Sequence, residues 1–167
     1  MTALVLIGPP GSGKSTVGQL VAEVLQVPFA DTDTAVEQLS GRSISDIFIT
    51  DGEDTFRELE RTAVQTALEE HSGVLALGGG AILNTDTRSD LREHRVVYLS
   101  VGLADAARRV GLNASRPLLV GSPRRQWQML MDQRRALYEQ VATVEVSTAG
   151  LNAEQARDGV LAALGER

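Results

Sequence analysis

The segment Gly8-Pro-Pro-Gly-Ser-Gly13-Lys14-Ser15-Thr16 restricts what this chain can fold into more than any other stretch. It satisfies G-x-x-x-x-G-K-[ST], and it follows an apolar run, Ala3 to Ile7, and precedes a helical pattern. Glycines let the backbone curl until several N–H groups converge on one phosphate, and the N-terminus of the next helix adds partial positive charge. A tight glycine turn between strand and helix is the plainer alternative. The strand–loop–helix context favours a nucleoside triphosphate bound by Gly11, Ser12, Gly13, Lys14, Ser15 and Thr16. Lys14 would give the β- and γ-phosphates a compact cation, and the Ser15 hydroxyl would ligate Mg²⁺. Of the 16 basic side chains 15 are arginine, and the single lysine is Lys14.

Further apolar, β-branched runs recur at Val27–Ala30 (weak), Val74–Leu77, Val96–Leu99 and Val141–Val146. Between them, helical spacing puts Val17, Leu20, Val21, Val24 and Leu25 on one face, and Phe56, Leu59, Ala63, Val64 and Leu68 on another. Later helices are expected from about Arg124 to Gln140, and from Asn152 as N-cap to about Leu164. Strands alternating with helices imply a parallel sheet covered on both faces, whose ligands bind beyond the carboxyl ends of the strands. The loops that matter therefore follow Ile7, Ala30, Leu77 and Leu99.

A length of 167 residues fits one domain, and 43% hydrophobic with 23% charged residues fits a packed globule. A net charge of −6 argues against a nonspecific nucleic-acid partner, and the absence of cysteine excludes disulfides and thiolate chemistry. No apolar run approaches a membrane span, and Met1–Ile7 lacks the basic flank and cleavage site of a leader. A cytoplasmic location, with no membrane partner, is expected.

Four further segments carry candidate chemistry. In extended chain, Asp31 and Asp33 of Asp31-Thr-Asp33 point to one side, so both carboxylates can face the phosphate loop. One could hold Mg²⁺ through water while the other accepts a proton from a substrate hydroxyl. An Asx turn capping the next helix is the bland reading. Arg57 and Glu60 share a helical face, as an exposed ion pair or as a held guanidinium that recognises a carboxylate; spacing alone does not choose, and the exposed pair, being common, leads. Gly78-Gly79-Gly80 reads equally as a flexible turn or as backbone open to close ligand approach. Arg116-Pro-Leu-Leu lies among Gly111, Asn113, Ser115 and Gly121, a composition that suits a mobile lid over about 111–123. His71 and His94 read as surface residues, while Trp127 and Met129–Met131 read as packing.

Walker A, Asp-Thr-Asp, Gly41-Arg-Ser-Ile-x-Asp-Ile-Phe48, Asp51-Gly-Glu with Phe56-Arg-x-x-Glu60, Leu77-Gly-Gly-Gly80, Val96-Val-Tyr-Leu99, Arg116-Pro-Leu-Leu and Arg134-x-x-Leu-Tyr138 follow one another in an order that closely resembles the shikimate kinase family. The resemblance implies a P-loop NTPase fold of three α/β/α layers around a five-stranded parallel sheet, like that of nucleoside monophosphate kinases. It implies a single domain over 1–167, with a substrate-binding subregion about 33–61, acting as a monomer. The implied reaction is ATP-dependent phosphorylation of the shikimate 3-hydroxyl, a step toward chorismate and the aromatic amino acids. Lys14, Asp33 and Arg116 would be catalytic, and Ser15, with Asp31 through water, would hold Mg²⁺. Arg57, Arg134 and the backbone of Gly78, Gly79 and Gly80 would meet the substrate, beside an apolar wall of Phe48 and Phe56. Glu60 would orient Arg57, and Arg109 would pack on adenine.

Two features depart from the family pattern. Arg134-Arg-Ala-Leu-Tyr138 stands where Arg-x-Pro-Leu-Tyr is usual, so Arg134 and Arg135 both compete as carboxylate anchor. Thr148–Asn152, near the expected adenine pocket, lacks the basic residue some members carry. Competing readings are a gluconate or nucleoside monophosphate kinase, a regulatory P-loop switch, and a noncatalytic ATP-binding scaffold. A GTP switch would need an Asn-Lys-x-Asp reader, which a chain with one lysine cannot supply.

Overall fold

A computed structural model describes residues 4–110 and 123–165 of the chain. Five strands form one sheet: β1 (Leu4–Ile7), β2 (Phe29–Asp31), β3 (Val74–Ala76), β4 (Val96–Ser100) and β5 (Val144–Ser147). Their order is β2-β3-β1-β4-β5, and every neighbouring pair runs parallel. Among the described residues eight α-helices accompany them: α1 (Lys14–Leu25), α2 (Thr32–Ser40), α3 (Ile44–Asp51), α4 (Glu53–Glu70), α5 (Thr85–Leu91), α6 (Leu103–Val110), α7 (Pro123–Val141) and α8 (Ala153–Ala163). Arg116 and the expected lid, apart from Pro123, which opens α7, lie outside the described residues.

The period-two alternation of a strand splits β1 between two cores. Leu4 and Leu6 pack with Val17 and Val21 of α1 and Val160 of α8, while Val5 and Ile7 pack with Val64 of α4 and Trp127, Met131 and Tyr138 of α7. A third cluster, Val36, Ile47, Phe56 and Ala63, joins α2, α3 and α4. The three-layer α/β/α expectation is met. Among the described residues no helix is long and apolar enough to cross a membrane.

Four local expectations need correction. Val141 ends α7, and the strand begins only at Val144. Val24 is 44% exposed, because Gly18 and Ala22 take the inner face of α1 beside Val17 and Val21. Met129 is exposed, whereas Trp127 and Met131 are buried as expected. His71 and His94 are half-buried rather than superficial; His71 terminates α4 with Nε2 3.0 Å from the Val74 carbonyl.

Candidate active site

The loop after β1 wraps the first of two cavities. Gly13 caps α1 at φ 89°, a left-handed conformation that a side chain would strain, and no side chain caps the helix. The first-turn amides of α1 are thus left for a ligand, with the positive end of the helix behind them. Lys14 Nζ donates to the carbonyls of Gly8 (2.7 Å) and Pro9 (3.1 Å), so the ammonium sits folded over its own loop. Ser15 Oγ donates to the Asp31 carboxylate. This cavity, about 550 Å³, is lined by Gly11 to Val17, Asp31, Asp33, Arg109 and the Thr148–Ala153 side.

Arg109 ties that cavity together. Its guanidinium donates to the Gly11 carbonyl (3.1 Å), to Thr148 Oγ1 (2.9 Å) and to the Thr148 carbonyl (2.8 Å). It bridges the phosphate loop to the loop after β5, a role that sequence spacing gave no sign of. Partial burial pulls its affinity for the proton down.

Asp31 and Asp33 converge, though not by strand alternation. The strand stops at Asp31, whose side chain accepts the Asp33 N–H at 2.8 Å and caps α2, which already includes Thr32 and Asp33. The Asx turn exists, but with Asp31 as the cap, two residues earlier than a cap at Asp33. One chain reversal therefore serves both purposes: Asp31 faces Ser15, while Asp33 stands in the first helical turn. Thr32 between them is buried, and its hydroxyl accepts the Gly78 N–H at 2.9 Å, fastening this turn to the loop after β3.

The second cavity, about 310 Å³, is lined by Asp33, Phe48, Phe56, Arg57, Glu60, Gly80 and Arg134, together with Glu37 and Ser43–Ser45. The exposed-pair reading of Arg57 and Glu60 does not hold. Glu60 is only 3% exposed and accepts from Arg57 Nη1 at 2.8 Å; Glu53, at the surface, takes the other side of the same guanidinium at 3.2 Å. Burial raises the Glu60 carboxyl above its ordinary value, and the nearby guanidinium opposes that. Phe56 lies against Arg57, 5.1 Å from ring centroid to Cζ, and Phe48 packs on Phe56 at 4.8 Å.

Gly78–Gly80 is a close approach, not a loose turn. A Cβ on Gly78 would stand 2.5 Å from Asp33 Oδ1 and 2.9 Å from Glu60 Oε2, and one on Gly80 would overlap the Arg57 guanidinium. Arg134 is 2% exposed and lines the cavity wall, whereas Arg135 is exposed. Arg134 makes no ion pair with a carboxylate among the described residues, and its buried Nε has no partner. Its charge is met in part by the nearby Glu60 carboxylate and by the Tyr138 hydroxyl, and an arriving anion would add to that compensation. Spacing on α7 carries the signal, since Trp127, Met131, Arg134 and Tyr138 fall on one stripe that excludes Arg135.

The two cavities share Pro10, Asp33 and Gly79. An anion held by Arg57 and Arg134 would therefore meet a phosphate chain held by α1 across the Asp33 carboxylate. Sequence reading missed the braces of that junction: Trp127 Nε1 donates to the Pro10 carbonyl at 3.0 Å, and the Tyr138 hydroxyl donates to the Gly79 carbonyl at 2.5 Å.

The model of the shikimate kinase family matches residues 10–164. A shikimate kinase of Streptomyces avermitilis is 56% identical over 161 residues, covering 96% of this chain and 94% of that one. The solved structure of a shikimate kinase from Acinetobacter baumannii in complex with shikimate superposes with a TM-score of 0.91 at 33% identity, over 97% of this chain and 92% of the other. A gluconokinase from Sinorhizobium meliloti, at 20% identity and a TM-score of 0.62 over 98% of this chain and 91% of its own, shares the fold. With both cavities and these similarities in hand, the chain belongs to the shikimate kinase family.

Proposed function

We propose that this chain transfers the γ-phosphoryl group of ATP to the 3-hydroxyl of shikimate, giving shikimate 3-phosphate and ADP. The observation that carries the reading is the junction of the two cavities at Asp33, with a triphosphate loop on one side and the buried Arg134, whose Nε has no partner, beside Arg57 on the other. The bound shikimate of the Acinetobacter relative supports the same acceptor here.

Arg57 and Arg134 hold the acceptor carboxylate. Glu60 restrains the Arg57 fork from inside and Glu53 from outside, so little side-chain entropy is lost on binding. Phe48 and Phe56 cover the apolar part of the ring, and the backbone of Gly79 and Gly80 lies beside it. In this reading Asp33, at the junction of the cavities, binds the acceptor hydroxyls, the 3-hydroxyl among them. That carboxylate accepts the hydroxyl proton as the oxygen–phosphorus bond forms and the bond from γ-phosphorus to the β–γ bridging oxygen breaks. Lys14, released from the Gly8 and Pro9 carbonyls, meets the charge that develops on the transferring group, as do the first-turn amides of α1. Arg109 holds the phosphate loop against the adenine side, and Arg116 completes the reading from outside the described residues. The segment 33–61 acts as the acceptor-binding subregion, and one chain builds both cavities, so the active unit is read as a monomer.

The hydroxyl of Ser15 and the carboxylate of Asp31 meet at the floor of the nucleotide cavity, and among the described residues no cluster of three or more acids or histidines could hold an ion unaided. That donor set fits Mg²⁺, which takes few protein oxygens and completes its shell with water and phosphate. Ser15 would ligate it directly and Asp31 through water. Bound there, it would neutralise charge on the β- and γ-phosphates.

A coupled ADP-release assay with Mg-ATP against shikimate, gluconate, AMP and no acceptor tests the proposal. Turnover with shikimate alone is expected. Turnover with another acceptor instead would overturn the carboxylate-pocket reading, and ATP binding without turnover would leave only a scaffold.

A further inference from the structure

Tyr138 is fully buried, on the stripe of α7 that carries Arg134 one turn earlier. Its ring stacks on Tyr98 of β4 at 5.0 Å, which fixes where its hydroxyl can reach. That hydroxyl donates to the Gly79 carbonyl at 2.5 Å, and the Arg134 guanidinium lies beside it. Burial pushes the Tyr138 hydroxyl up to about 12, so it remains a donor across the working range of an enzyme. The chain has no cis peptide among its described residues. In a trans peptide plane the carbonyl of one residue and the N–H of the next point in opposite directions. Anchoring the Gly79 carbonyl on Tyr138 therefore aims the Gly80 N–H the opposite way. Gly80 is buried and lines the acceptor cavity, and its N–H has no backbone or side-chain acceptor among the described residues.

We infer that Tyr138 is a positioning residue for the acceptor: one hydroxyl fixes the Gly79–Gly80 peptide so that the Gly80 N–H, together with Arg134, forms a prearranged donor pair for the acceptor's anionic group. The inference rests on the acceptor reading given above and extends it to a residue that touches no substrate. Glycine at 79 and 80 explains why such an anchor is needed, because a Gly-Gly peptide can rotate more freely than any other and would otherwise lose its aim. Tyr98 supplies the platform but not the hydrogen bond.

Tyr138→Phe keeps the ring, the stack and the volume and removes the hydroxyl, which bonds the Gly79 carbonyl and lies beside Arg134. The expected result is a rise of about tenfold in KM for shikimate, with KM for ATP within about twofold of wild type and kcat reduced less than KM is raised. Tyr98→Phe removes a buried hydroxyl from the same stack and is expected to leave both KM values at wild-type levels. An unchanged shikimate KM in a folded Tyr138→Phe overturns the inference, as does an equal loss for both substrates. The unmutated chain is assayed alongside: its failure to turn over shikimate would overturn the acceptor reading and this inference with it, whereas a normal wild type beside an unaffected variant overturns the inference alone. The chain has two tyrosines, so 3-fluorotyrosine labelling of the unmutated sequence gives a second reading that needs no substitution. The Tyr138 fluorine signal, assigned with Tyr98→Phe, is expected to move on addition of shikimate. A signal that stays put under saturating shikimate contradicts the inference.

Discussion

Gly80→Ala is a one-methyl test of how the acceptor site is built. Gly80 has φ −98° and ψ 3°, the region of the third residue of a type I turn, which alanine can occupy, so the fold should survive. The added Cβ would stand 2.6 Å from Arg57 Nη2 and 2.7 Å from Cζ, and closer still to Nη1, whereas ordinary contact begins near 3.4 Å. The obstacle is the end of a long side chain, so the guanidinium retreats, by roughly 1 Å, the scale on which misplacement costs about a hundredfold in rate. Retreat breaks the 2.8 Å bond to Glu60 and leaves Arg57 on the exposed Glu53. Losing one charged hydrogen bond to the acceptor corresponds to about 1.5–3 kcal/mol, or roughly a ten- to hundredfold fall in kcat/KM for shikimate. The assay is steady-state ADP release with each substrate varied in turn, with calorimetric titration of Mg-ATP and a thermal melt as controls. A shikimate KM unaltered in a folded variant would refute the packing of Arg57 against Gly80, and an equal loss of ATP affinity would refute the separation of the two cavities.

Arg57→Ala should lower kcat/KM for shikimate by about a hundredfold while Mg-ATP binds as before; equal losses in calorimetric titrations of both ligands would assign Arg57 a structural role. Trp127→Phe removes the hydrogen bond to the Pro10 carbonyl, about 1 kcal/mol, and should weaken Mg-ATP binding roughly fivefold, with an unchanged Kd as the contrary result. Glu60 makes stability depend on pH. Burial raises its folded-state pKa above the ordinary 4.5, so the folded chain holds that proton more tightly than the unfolded chain does. Its contribution is present below 4.5, falls as pH rises through the interval above 4.5, and is lost once the carboxyl is ionised in the folded state too. Glu60→Gln lacks this dependence, so its Tm should gain on wild type as pH rises above about 4.5; parallel Tm profiles would contradict the burial argument.

The phosphate loop was legible because its chemistry is local: glycines, a lysine and a hydroxyl at fixed offsets between a strand and a helix. The parallel sheet was legible for the same reason, since strands buried on both faces read as apolar runs. The alternation argument that turned Asp33 toward the phosphate loop does not apply, because the Asp31 cap starts α2 before Asp33, and the first helical turn brings Asp33 to both cavities instead. The burial of Glu60 could have been read: it stands four residues after Phe56 and four before Val64, within the apolar stripe of α4, where a charged side chain must find a partner. The same stripe argument on α7 separates Arg134 from Arg135. What the sequence could not disclose is which backbone carbonyls receive Trp127, Tyr138 and Arg109, since those bonds join residues 117, 59 and 39 to 98 positions apart. They depend on where the strands place their loops, and no local pattern encodes that.

The central claim is that two adjoining cavities deliver one particular hydroxyl to the γ-phosphate, and product regiochemistry tests it most directly. Phosphorus–proton correlation NMR of a completed reaction of the chain with Mg-ATP and shikimate is predicted to show ADP and a single phosphomonoester coupled to the ring proton at carbon 3. Phosphate on a different hydroxyl, a mixture of esters, or inorganic phosphate in place of an ester would contradict the account.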